Sequence, residues 1–320
     1  MAPPRIAAPL ALVAMSLAVG GSGAAPLGAG QASITTTTTK TRINYVIGAH
    51  PDDEFLGWSL VEKRSDVYPV FVIFTKGEAT GFGKGTGHQS ELAEAHPGGT
   101  FSTARYGPEL KAQRVASWHR FLDLMAAVDG SLGIPTEVSH GSRPDGAYPF
   151  EVQVGRDSAR VIFDSGDGSL DQHEVADMIW VLRRHVAPGR FPAIPEGDII
   201  GTSYSNLSDG SAQPYAHNDH KAVHEALWNV DFGMPGHQYA RTTHSDPNRD
   251  VVASVTRQGY QAAMGVDPQT CQRTGAMQRA YGWLAFSLDG NVNPCPGSWD
   301  AAEHDHQAIN SRVQHWWVRF

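Results

Sequence analysis

The sequence predicts an α/β fold, with a mostly parallel β-sheet, helices on both faces and large loop insertions forming a lid. Three observations lead there. Residues 44–49 (NYVIGA), 70–75 (VFVIFT) and 198–203 (DIIGTS) are short apolar runs, as expected of strands buried on both faces. Segments with helical apolar spacing alternate with them, which is the pattern of a sheet covered on both sides. Glycine (34) and proline (20) are plentiful and charged residues make up only 18%, a composition that suits long ordered loops better than a helix bundle.

The first 30 residues read as a secretion signal and leader outside the fold. Arg5 forms a short basic region, residues 6–19 are apolar, and Ser22-Gly23-Ala24 resembles a cleavage site. That apolar run is too short to span a bilayer and no second one follows, so no stable membrane insertion is expected. The expected location is extracellular after the leader is removed. Residues 31–41 form a Thr-rich spacer. Residues 42–320 form the working domain, with a core at 42–232 and a loop-rich C-terminal part at 233–320. Cys271 and Cys295 are the only two cysteines, and in an exported chain they suggest one disulfide. A formal net charge of −8 and the lack of a Lys/Arg run argue against a nucleic-acid partner.

Within the domain, residues 44–49 and 70–75 are the first two strands. Residues 76–107 are Gly-rich, polar and without periodicity, as expected of a lid or binding loop, with His88 and His96 as candidate substrate contacts. Residues 109–127 form an amphipathic helix whose stripe is Leu110, Val115, Trp118, Phe121, Leu122 and Met125. Residues 138–162 carry short strands. Asp164 to Gly168 (DSGDG) lacks the spacing of a calcium loop and reads as a turn. Asp171 opens a helix, with Glu174 completing a capping box. After the 198–203 strand a polar loop leads to a helix near Asp219. Residues 233–248 read as loop, 251–264 and 275–284 as helices, and the tail is rich in Trp and His. Together these elements make an open, Rossmann-like arrangement.

Fifteen histidines are more than a core needs, and two clusters collect the informative ones. The first is Ala49-His50-Pro51-Asp52-Asp53-Glu54, placed where the first strand ends and where sites form in open α/β sheets. A histidine and two aspartates in four residues can aim an imidazole and one carboxylate at a metal and leave the other carboxylate free. The second is His217-Asn218-Asp219-His220, with His224 beyond it. His217 and His220 are neighbours on a helical turn, so one can bind metal while the other faces the reaction centre. The His220/His224 spacing fits a two-histidine zinc helix, but no H-E-x-x-H is present, which weighs against a peptidase.

AHPDDE near the start and H-x-D-H late in the chain resemble the PIG-L (LmbE-like) zinc-dependent de-N-acetylases, over roughly residues 42–229. The resemblance implies that His50, Asp53 and His220 bind Zn2+ and that Asp52 is the general base. It implies that His217 is a charged acid and oxyanion stabiliser and that Asp219 orients and tunes a neighbouring histidine. Arg114 looks like the family's substrate-contacting arginine, with Lys111 one turn earlier as a rival. The Thr75-Lys76-Gly77-Glu78 turn resembles a family segment with no role attached.

Such an enzyme removes the acyl group from an N-acetylglucosamine-type sugar. The leader and the enlarged loops look like those of glycopeptide-antibiotic deacetylases, which act on a teicoplanin-type pseudoaglycone, so a bulky small-molecule glycoconjugate is the expected substrate. Another amino-sugar conjugate or a cell-wall glycan is the alternative. A non-catalytic carbohydrate-binding protein is a third reading, weakened because both motifs are intact.

Overall fold

The computed structural model describes residues 39–78, 108–203, 217–242, 250–265, 269, 274–283 and 312–319. The leader, nearly all of the spacer, His88, His96, Cys271 and Cys295 lie outside the described residues. In chain order the elements are β1 (Arg42–Gly48), a 3-10 segment (Glu54–Leu60), β2 (Val67–Ile73), α1 (Pro108–Val128), β3 (Glu137–Gly141), β4 (Phe150–Val154) and β5 (Ala159–Phe163). Then follow α2 (Gln172–Val181), a π turn (Leu182–Val186), β6 (Glu196–Gly201), α3 (Asn218–Asn229), β7 (Gln238–Thr242), β8 (Asp250–Ser254), α4 (Arg257–Met264), α5 (Ala276–Tyr281) and β9 (Val313–Arg319).

All nine strands join one sheet in the order β3-β4-β5-β2-β1-β6-β7-β9-β8. The central run β5-β2-β1-β6-β7 is parallel. Antiparallel strands extend it at each end: β4 and β3 beyond β5, β9 and β8 beyond β7. From β1 the chain builds outward through β2 and β5, then returns to lay β6 on the other flank. The strand order therefore reverses between β1 and β6, and a crevice forms at the carboxyl ends of strands at such a point.

Burial on both faces explains the continuous apolar runs. Along β1 and β2, Val46, Phe71 and Ile73 face a core layer with Trp58, Trp118 and Phe121. Tyr45, Ile47, Val70 and Val72 face the opposite layer with Val175, Ile179 and Val223. Helix α1 buries its predicted stripe in the first layer, with Val115 only partly covered. Asp171 caps α2 by accepting from the His173 and Glu174 amides while Glu174 reaches back to the Asp171 amide, the reciprocal box the sequence predicts. No helix among the described residues is long and apolar enough to cross a membrane.

The C-terminal part departs from expectation in three places. Within the predicted 233–248 loop, residues 238–242 form β7. Its sequence, QYART, has no apolar alternation because its buried side chains are polar. Gln238 is one, and its amide donates to the Leu227 and Val230 carbonyls at 2.9 Å each, closing the end of α3. The predicted 251–264 helix is a strand followed by a shorter helix, because Thr256 caps α4 by accepting from the Gly259 amide. The β-branched Val251 and Val252 pair with β9 instead. The Trp-rich tail is itself strand β9.

Glu196 at the start of β6 is held by Arg183 (Nε to Oε1 and Oε2, 3.0 Å each) and by the Tyr45 hydroxyl at 2.8 Å. Burial opposes its charge, but Arg183 and Tyr45 outweigh that and hold the carboxyl below its ordinary range. A depressed carboxyl contributes stability above its unfolded pKa and loses it as the pH falls through its folded value. Glu196→Gln should therefore cost roughly 1–2 kcal/mol at pH 7, or about 2–4 °C of Tm per kcal/mol. Thermal unfolding should show the gap from wild type closing at pH 3; a gap independent of pH would refute the assignment.

Candidate active site

Beyond β1 the chain turns back sharply over the sheet edge. Gly48 permits this, since a Cβ there would lie 2.9 Å from the Asp53 Cβ and 3.0 Å from Thr202 Oγ1. Asp53 Oδ2 then accepts from the Ala49 amide at 3.0 Å and from Ser203 Oγ, just past β6, at 2.9 Å. Its Oδ1 lies 3.2 Å from His220 Nε2. Burial opposes the Asp53 charge, but His220, His50 and Ser203 outweigh it and hold the carboxyl well below its usual range.

His217 is the N-cap residue of α3 and His220 lies in its first turn, so one helix end delivers both imidazoles. The His50 ring centroid lies 4.8 Å from that of His217 and 4.7 Å from that of His220. One donor atom from each of the three lies within 4.8 Å of the others, and the same holds for His50, Asp52 and Asp53. His50 Nδ1 is 3.5 Å from Asp52 Oδ1 and 3.7 Å from Asp53 Oδ2, both long for a hydrogen bond. Both ring nitrogens are buried without a hydrogen-bond partner among the described residues. Buried imidazole nitrogens left unpaired beside carboxylates are a donor set whose chemistry suits a divalent cation.

Asp52 borders the same imidazole and is fixed twice from its other side. Its backbone adopts φ +99°, a conformation costly for a residue with a Cβ. Its amide donates to Glu54 Oε2 at 3.0 Å, and its Oδ1 accepts from Arg114 Nη2 at 3.0 Å. Burial pushes Glu54 up to about 8, opposed by its hydrogen bond from Tyr281.

The remaining candidates have these surroundings. Arg114 is fully buried, and its guanidinium holds Asp52 and the Pro51 and Gly77 carbonyls (2.5 and 2.9 Å). Lys111, its rival, is tied to Asp164 at 2.5 Å and Glu78 at 3.2 Å. Asp219 accepts from the Gly168 and Leu170 amides at 2.8 and 3.0 Å, tying the loop after β5 to α3, and has a carboxylate oxygen within 4.8 Å of a His50 nitrogen. Burial, then His50 and His220, lower the pKa of His217 to about 4. His224, one turn past His220, stays out of the cluster and lies against Trp228.

The structure also adds residues. Asp167, read from sequence as part of a turn, has a carboxylate oxygen within 4.8 Å of donors from His50 and Asp219. Ser203 and Tyr281 join through contacts that span 150 and 227 residues, which no local pattern could signal.

The fold and site together define an α/β protein with a histidine–carboxylate cluster at the switch point of a mostly parallel sheet. Scans against protein-family models and against curated protein sequences find no match. Among solved structures, the A40926 pseudoaglycone deacetylase Dbv21 aligns with 88% of this chain and 98% of its own, at 14% identity and a TM-score of 0.45. The zinc-inhibited form of teicoplanin deacetylase Orf2 aligns with 86% of this chain and 97% of its own, at 13% identity and 0.43. A deacetylase–teicoplanin complex aligns over 86% and 97%, at 14% identity and 0.38. At such identities and scores the likeness assigns nothing to this chain.

Gly77, at φ +68°, leaves the space that Arg114 occupies, since a Cβ there would lie 2.3 Å from Nη1 and 2.4 Å from Cζ. Gly166 has φ +86° with nothing within 4 Å. Gly166→Ala should cost only the backbone strain, about 1 kcal/mol, whereas Gly77→Ala should cost at least twice that. Equal shifts in Tm for the two would show that Arg114 moves aside freely.

Proposed function

We propose that this chain is an exported, zinc-dependent N-deacetylase that removes the acyl group from an N-acetylglucosamine-type sugar on a bulky acceptor. A glycopeptide-antibiotic pseudoaglycone stands first among acceptors. The chemistry rests on one observation. His50, Asp53 and His220 converge at the sheet edge, with a second carboxylate, Asp52, beside His50 and held by Arg114. Export is supported by the leader sequence, and the bulky acceptor by the long Gly-rich insertion that follows β2 in the sequence.

Zinc at these residues would polarise the amide carbonyl and lower the pKa of water. Asp52 does the proton work. Arg114 fixes its Oδ1, and Oδ2 is buried without a hydrogen-bond partner among the described residues. Oδ2 takes a proton from the attacking water as oxygen bonds to the acyl carbon. That proton passes to the leaving nitrogen as the C–N bond breaks, giving a free amine and a carboxylic acid, which then ionises to solvent. His217, held neutral, donates an N–H to the developing oxyanion, and loss of such a donor typically raises the barrier by roughly 3–4 kcal/mol.

The decisive experiment is mass spectrometry of an N-acetylglucosamine glycoconjugate panel, looking for loss of one acyl unit before and after chelation and after Zn2+ is restored. Full turnover by metal-free protein would sink the reading. Asp52→Asn should retain zinc and lose roughly 10²–10⁴-fold in kcat, the usual contribution of a general base. Asp53→Ala should lose the metal. Metal analysis showing the reverse pattern would exchange the two roles.

A further inference from the structure

We infer that Glu54 and Tyr281 form a positioning pair that sets the backbone of Asp52, making the C-terminal helix α5 part of the active-site framework. The inference rests on the reading of Asp52 as the general base.

Glu54 closes the AHPDDE motif, yet it does not reach the histidine cluster. It is 4% exposed, and its two oxygens have separate duties. Oε2 accepts the Asp52 amide at 3.0 Å and Oε1 accepts the Tyr281 hydroxyl at 2.6 Å. Asp52 is the residue with the strained φ of +99°, so the hydrogen bond falls on the peptide that needs holding. A glutamate alone could swing among its rotamers, and Tyr281 fixes the oxygen that does not bind Asp52.

Tyr281 is itself held in place. Its ring is fully buried, lies 6.3 Å from Phe121 of α1, and is followed by Trp283, whose Nε1 donates to Ser117 Oγ at 2.8 Å. Phe121 and Ser117 share a face of α1 with Arg114, the group that grips the Asp52 carboxylate. Arg114 therefore sets the side chain of Asp52, and the Glu54–Tyr281 pair sets its main chain.

The pair differs from mere filling of the core in what Tyr281→Phe should change. That variant keeps the ring and removes one hydroxyl. In the full-length chain, hydrogen exchange at the Asp52 amide should accelerate about tenfold, with zinc content unchanged. On an N-acetylglucosamine conjugate kcat should fall about tenfold with KM unchanged. In an Asp52→Asn background the same substitution should cause no further loss, because its effect passes through Asp52. Glu54→Gln should reproduce these changes if Tyr281→Phe folds poorly. Unchanged exchange at Asp52, or an equal loss in both backgrounds, would overturn the pair. Failure of the wild-type chain to release acetate from any conjugate would overturn the deacetylase reading instead, and the exchange result would still decide the pair.

Discussion

The site depends on keeping a charged carboxylate buried at the end of β1. An isolated ionised carboxylate in a protein interior is very costly, so Asp53 must be surrounded by donors. It receives the Ala49 amide, the Ser203 hydroxyl and the His220 ring, drawn from the turn after β1, the end of β6 and the first turn of α3. Meeting the needs of one buried charge thus fixes three separate segments against each other. The histidines converge because the helix that carries two of them is docked by this carboxylate.

Asp52 is the complementary problem. Two adjacent aspartates, both buried, would repel if they shared an environment, and the positive φ at Asp52 turns its carboxylate toward Arg114 instead. With one guanidinium set against two carboxylates, these three groups carry an excess of one negative charge. Three imidazoles adjoin that excess, two of them against Asp53. Burial and neighbouring rings oppose protonating His217, whereas at His50 burial is outweighed by Asp53 and Asp52, which raise its pKa; in the proposed function a divalent cation would take the place of that proton.

How much of this was legible in the sequence follows from how local each cause is. Strands β1, β2 and β6 read correctly because both faces are buried, leaving near-continuous apolar letters. The Asp171 box was legible because both halves of the cap lie within four residues. The two motifs were legible because the turn after β1 and the start of α3 each compress their chemistry into a few positions. The burial of Arg114 was not legible because helical spacing identifies the buried stripe but not which polar residue enters it to meet a distant carboxylate. Strand β7 was missed because its buried side chains, Gln238, Arg241 and Thr242 among them, hide its burial behind polar letters. Asp167 sits among glycines in a segment whose composition signals a turn and nothing more.

Helix α1 explains why the C-terminal part belongs to the same machine. Arg114, Ser117 and Phe121 follow the i, i+3, i+7 spacing of one helix face, so a single rigid element presents all three together. The first grips the Asp52 carboxylate and the other two dock Trp283 and Tyr281. A shift of α1 along its axis would move the carboxylate clamp and the main-chain clamp by the same amount, preserving their relation. Independent supports on separate loops could not guarantee that. A strained residue asked to exchange protons needs such a common frame, because an error of about 1 Å in its position costs orders of magnitude in rate.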